Sequence, residues 1–283
     1  MTDTRQLPPS DSDRPAPSAG ETAAAPQPPG WRNQLLIRFP WFAFIAPLAA
    51  YLILGQFEAT FAAPEGTSSA NGWSAYLIAY SLKIALTAAI VWVAWPAYKQ
   101  FRPRGMLLAV LVGVVGVVVW VGLCQLGLER RLIFPILSPL LERAGLSSLI
   151  TSAARPGFNP FDHWADAPWV IVLFLPVRFF GLVAIVPLIE EFFYRGFLMR
   201  WVTKPEWTEV PEGLSSWPAV MLGTLVPMTL HPLHEWLAAA AFFSMITWLY
   251  LRTRSIWACV AAHSTTNLLL GAYIIATGHW ELW

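Results

Sequence analysis

The run from about residue 105 to 127, MLLAVLVGVVGVVVWVGLCQLG, carries no charge over the roughly 20 residues needed to cross the hydrocarbon core of a bilayer. A segment apolar on every side belongs in lipid or in a very large core. Only 12% of the chain is charged and 56% is hydrophobic, against about 25% charge in ordinary soluble domains. The chain therefore reads as a membrane protein, with sixteen Trp and seventeen Phe available for interfacial belts. A net charge of +1 gives no basic field, so nucleic acid is not an expected partner. Cys124 and Cys259 lie in apolar runs and read as small buried hydrophobes; two cysteines make neither a disulfide framework nor a thiolate zinc site.

The expected fold is all-α, a polytopic membrane helix bundle with about seven transmembrane helices. Spans are expected at 36–57, 73–95 (interrupted by Lys83), 105–127, 168–201, 216–234, 236–251 and 255–277. The fourth is long for one crossing, so it is tilted, kinked at Pro176 or Pro187, or extends past the lipid. The chain divides into a proline-rich, disordered tail (1–33), three amino-terminal spans (34–128), a polar connection (129–167) with a short amphipathic helix near Ile136–Ala144, and a last membrane domain (168–283). The tail has no apolar core of a secretory signal, so insertion is expected through the first span.

Lys and Arg near the span ends set the orientation. Arg32, Arg38, Lys99, Arg102, Arg104, Arg200, Lys204, Arg252 and Arg254 place the amino terminus in the cytoplasm and the carboxyl terminus outside. Arg130, Arg131, Arg143 and Arg155 in the 129–167 connection run against that assignment.

A charged or strongly polar side chain at membrane depth costs a few kcal/mol and usually faces protein or a wet cavity. Three such groups stand out. Glu190 and Glu191 in LIEEFFYRGF lie about 100° apart on a helix, so they point to different places. Glu191 and Arg195, four apart with the acid first, can pair along one face and leave Glu190 for a cavity. The same two acids could instead solvate a helix end. His231, in MTLHPLHEW with His234 and Glu235 beside it, suits either an interface or a site. His263 and Asn267, four apart in VAAHSTTNLLL, share one face and can offer donors to a developing oxyanion; Ser264, Thr265 and Thr266 suit helix–helix hydrogen bonding. If these groups converge, Glu190 and His231 can activate water while His263 and Asn267 hold charge, which is peptide-bond hydrolysis in or beside the membrane.

EEFFYR (Glu190 to Arg195) resembles the EExxxR motif of the CAAX prenyl protease and bacteriocin-processing family, the intramembrane glutamate proteases, and HSTTN (His263 to Asn267) resembles its HxxxN motif. The likeness covers roughly 165–275. The family's middle motif is FxxxH. His231 follows Pro227 by four and His234 follows Leu230 by four, so neither carries the phenylalanine; the gap to Tyr250 and Arg252 favours His231. The resemblance implies an endopeptidase with catalytic Glu190, His231, His263 and Asn267, with Glu191 and Arg195 supporting, and with no cofactor or metal. The implied partners are the bilayer and a membrane protein or lipid-attached peptide substrate. The context VPLIEEFFYRGFLMRW, Arg178 before it and the ending GHWELW are similar to an exosortase-associated subset linked to bacterial surface-protein sorting. That likeness implies a bacterial inner membrane, a protein-sorting machinery as partner, and a substrate other than a prenylated tail.

Three other readings stay open on the sequence. Glu190, Glu191, His231, His234 and His263 are also zinc-type ligands, which allows a metal-dependent hydrolase, although HExxH is absent. The same fold could serve as a non-catalytic immunity or scaffold protein. A transporter is the third, without any visible internal repeat. The hydrolytic mechanism also carries a topological demand: the span order sets Glu190 toward the inner side and His231 near the outer end of the fifth span. Their convergence requires 216–251 to be a hairpin whose turn, near HPLHE, sits at membrane depth inside protein.

Overall fold

A computed structural model describes residues 30–61, 75–145 and 157–283. The tail 1–29, residues 62–74 and residues 146–156 of the connection lie outside the described residues. Among the described residues there are helices and no strands: α1 (Trp31–Arg38), α2 (Phe42–Phe61), α3 (Ala75–Tyr98), α4 (Met106–Leu126), α5 (Phe134–Arg143), α6 (Pro160–His163), α7 (Pro168–Thr203), α8 (Trp217–Thr229), α9 (Trp236–Thr253) and α10 (Ile256–Thr277). This is the all-α, polytopic membrane helix bundle expected. Four helices are long and apolar enough to cross a bilayer, or five if α1 and the following helix to Phe57, bent by 93°, form one span.

The bend has a local cause. Pro40 restricts Phe39, which leaves the helical region at φ −132, ψ 73. Helix therefore starts at Trp31, earlier than the tail boundary at 33, and the first expected span is broken into α1 and α2. The sequence places a fifth span at 216–234. There α8 has 13 residues and reaches about 20 Å, short of a hydrocarbon core of roughly 30 Å. It ends at Thr229, turns through residues 230–235 and packs back on α9, so 216–251 is a hairpin.

The fourth expected span is a single 36-residue helix, α7, about 54 Å long. It is interrupted by two π-turns, Phe180–Ile185 and Phe192–Leu198. Pro187 supplies a cause for the first: it has no N–H for the carbonyl of Val183 and its ring crowds that group, and a widened turn relieves the clash. A π-turn leaves a backbone carbonyl without a helical partner. In α7 these carbonyls find side chains: Leu182 O accepts from Asn267 Nδ2 at 2.8 Å, Arg195 O accepts from Tyr250 Oη at 3.3 Å, and Gly196 O accepts from Arg200 Nη1 at 3.2 Å.

Packing fixes α7 at the centre. Phe192 is fully buried among Phe44, Tyr98, Phe101 and Trp257, which come from α2, α3, the α3–α4 connection and α10. On the other side of α10, α4 approaches closely through its glycines. A Cβ at Gly113 would fall 2.5 Å from Ala262 O, and one at Gly116 would fall 2.6 Å from Thr266 Oγ1. Thr266 Oγ1 donates to Gly113 O at 2.8 Å, the small-residue and hydroxyl packing typical of helices in lipid.

Candidate active site

Both glutamates stand on the short α-helical stretch Val186–Glu191 between the two π-turns of α7. Glu191 is fully buried, while Glu190 is half-buried and lines a cavity of about 750 Å³. His231, His263 and Asn267 line the same cavity, with Trp120, Phe242 and Phe243 between them. Glu190, His231, His263 and Asn267, which sequence alone set on three separate segments, therefore face one space. The α8–α9 hairpin makes this possible. Its turn places His231 on the cavity instead of at the far end of a span, which removes the conflict of depth between His231 and Glu190.

Beneath the cavity lies a closed ionic cluster. Glu191 Oε2 pairs with Arg195 Nη1 at 2.9 Å and Glu191 Oε1 meets His263 Nδ1 at 3.0 Å. Arg195 is fully buried, and its Nη2 donates to Gly223 O at 3.3 Å, Phe243 O at 3.4 Å and Thr247 Oγ1 at 3.2 Å. Thr247 in turn meets Thr224 at 3.3 Å. One arginine thus joins α7, α8 and α9, and one carboxylate joins α7 to α10. The π-turn that contains Arg195 lets this cluster sit under the cavity.

The two histidines are held differently. With Nδ1 on Glu191, His263 has its Nε2 left for the cavity. His231 Nδ1 lies 2.9 Å from Pro227 O, and its own carbonyl accepts from Trp236 Nε1 at 3.0 Å. Phe243 packs edge-on against both imidazoles, with centroids 5.6 Å from His231 and 5.8 Å from His263. His234 does not line the cavity; its Nε2 is 3.6 Å from Glu235 Oε1. Of the two candidates for the middle histidine, His231 is the one on the cavity.

Several contributors carried no site signal in the sequence. Glu235 is buried and lines the cavity. Glu129, also buried, uses Oε1 to accept from Leu237 N at 3.0 Å in the first turn of α9. An acid just past a span and before two arginines reads as a loop residue, so nothing marked it. Thr224 and Thr247 read as ordinary helix hydroxyls. Among the described residues, no group of three or more His, Cys, Asp or Glu side chains is placed to hold a metal ion.

The fold and cavity define a multi-pass integral membrane protein with a polar site enclosed by helices. Residues 168–269 match the family model for the type II CAAX prenyl endopeptidase, Rce1-like. The matched stretch runs from the start of α7 into α10 and contains Glu190, Glu191, Arg195, His231, His263 and Asn267. The match does not reach the level of the exosortase-associated subset. No curated protein and no solved structure matches the chain.

Proposed function

We propose that the chain is a glutamate-dependent intramembrane endopeptidase acting on a membrane protein or lipid-attached peptide. The observation that carries this reading is the convergence of Glu190, His231, His263 and Asn267 on one cavity above a buried Glu191–Arg195 pair. Glu190 takes a proton from water while His231 orients that water, and the oxygen attacks the scissile carbonyl carbon. His263, held at Nδ1 by Glu191, presents Nε2 to the oxyanion. Asn267 has two N–H groups on Nδ2; one serves Leu182 O and the other is available to the same oxyanion. Collapse of the tetrahedral intermediate breaks the C–N bond, and the proton held by Glu190 passes to the leaving nitrogen. No step calls for a metal.

Orientation follows from charge. Ser255 Oγ accepts from Arg104 N at 3.2 Å and donates to Arg102 O at 3.0 Å, and Ile256 N donates to Glu212 at 3.0 Å. A second cavity is lined by Asn33, Lys99 and Arg200. The cationic connections and the amino-terminal helix thus share one end of the bundle, which supports a cytoplasmic amino terminus; a bacterial inner membrane rests on motif context. A protein-sorting partner rests on motif context alone.

The test is a comparison of peptide termini in host membranes carrying the parent or Glu190→Gln at matched expression. Glu190→Gln should remain folded and lose activity by about a hundredfold or more. New termini made only by the parent identify the protease and its substrate together. Equal termini in both samples, with both proteins folded, reject the assigned mechanism.

A further inference from the structure

The same cavity has a second end, away from Glu190, which the hydrolytic chemistry does not use. Its walls include Tyr51, Tyr76, Tyr80, Lys83, Arg178 and Trp283. Arg178 sits with its guanidinium 5.1 Å from the Tyr80 ring and 5.3 Å from the Trp283 ring. Among the described residues it makes no ion pair, and its buried Nε has no acceptor. Trp283 Nε1, beside it on the same wall, is a second buried donor without an acceptor. Lys83, over the rings of Tyr51 and Tyr80, adds positive charge to the same end.

Arg178 is half-buried, and a guanidinium drawn partly out of water without a carboxylate is costly, because desolvation is not offset by an opposite charge. Arg195 on the same helix shows how this fold satisfies such a group when the role is internal. Arg178 lines a cavity that also holds the catalytic candidates, and among the described residues no carboxylate pairs with it. From this juxtaposition we infer that Arg178 and Trp283 form a subsite for a carboxylate of the substrate peptide, held by the guanidinium fork and the indole N–H.

The helix sets where that carboxylate falls. Arg178 and Glu190 are twelve residues apart, about 18 Å along α7 and, in a regular helix, about 120° apart around it. The π-turn Phe180–Ile185 lies between them and absorbs one extra residue, which cuts that offset to about 20°. Both side chains therefore reach one cavity. An extended peptide advances roughly 3.3 Å per residue, so the anchored carboxylate lies about five residues from the scissile bond. It can come from an Asp or Glu side chain or from a free carboxyl terminus. This inference rests on the protease reading for the word substrate, and on the cavity alone for the carboxylate.

The test uses purified full chain in nanodiscs and a set of apolar decapeptides. Each peptide carries one Asp at a varied position or none, and each is made as free acid and as carboxamide. Parent protein should cleave at a fixed spacing of about five residues from the Asp, from the free terminus, or from both, and the two peptide series tell these sources apart. Arg178→Gln should lose that spacing, with KM for the acidic peptides raised about tenfold or more. The neutral carboxamides should be cleaved equally by both proteins. Arg178→Lys, which keeps the charge and loses the fork, should fall between them and covers the case in which Arg178→Gln fails to fold. Equal KM and equal cleavage positions for acidic and neutral peptides in parent, Arg178→Lys and Arg178→Gln would overturn the subsite. If the parent cleaves nothing, the protease reading fails on its own and binding decides the subsite. Glu190→Gln should then bind the acidic peptides more tightly than the carboxamides by fluorescence anisotropy, and Glu190→Gln with Arg178→Gln should not; no preference in the first protein rejects the subsite.

Discussion

Arg195 and Arg178 lie on the same helix, about five turns apart, and are treated in opposite ways. Arg195 is fully enclosed, paired to Glu191 and bonded to carbonyls and a hydroxyl of α8 and α9. Arg178 rests on two aromatic faces and opens to the cavity. The first is a brace between helices. The second has its charge in reserve. A buried cation is therefore not informative by itself; its partners decide whether it serves the fold or a ligand.

The largest expected effect breaks the brace. Arg195→Met leaves the Glu191 carboxylate buried without its cation and should cost about 3–5 kcal/mol, read as a lower melting temperature or loss of folded yield in detergent. Glu191→Gln should cost less, since the amide still accepts from Arg195 and still meets His263. If Arg195→Met melts like the parent, the cluster does not brace the bundle. Next comes the helix contact that faces the site from behind. Gly113→Val pushes a side chain into Ala262 and Thr265 and should destabilise by about 1–3 kcal/mol, with a matching fall in thermal midpoint. Asn267→Ala orphans Leu182 O, which predicts about 1–2 kcal/mol of lost stability and, on the proposed mechanism, a loss in kcat of about a hundredfold. Stability lost with kcat intact would leave Asn267 a helix fastener only. Arg178→Gln sharpens the comparison from the other side: with no ion pair to lose, stability should change by about 1 kcal/mol or less in either direction, read as a small shift in melting temperature. The smallest effect belongs to a third kind of cation. Lys204 pairs with Glu209 at 2.7 Å, but both are solvated, and Lys204→Gln should leave the melting curve unchanged.

The sequence showed much of this in outline. α3, α4 and α10 are predominantly apolar over a bilayer's width, so composition alone set their ends to within a few residues. The polar candidates were visible because a charge in lipid is expensive and therefore conspicuous. What stayed hidden is tertiary in origin. The first π-turn depends on Asn267, 85 residues away, to take the Leu182 carbonyl, and no local pattern reports that. The shortness of α8 was masked by a continuous apolar run through Pro227 and Leu230, where only the turn at His231 and Pro232 shows where helix stops. Glu129 was invisible because capping Leu237 N joins residues 108 apart in sequence.

The π-turn at Phe180–Ile185 also makes this stretch of α7 a measure of length. Removing one residue from it would restore the regular helix and leave Arg178 at nearly the same angle to Glu190, about 20°, because the π-turn already absorbs that residue. The Leu182 carbonyl would return to the backbone ladder, and Asn267 would lose its acceptor. A conservative exchange of one aliphatic residue for another there should be nearly silent, whereas the smallest deletion should unfasten α10 from α7 at Asn267 while keeping the two ends of the cavity in phase. In this segment the count of residues carries more information than their identity.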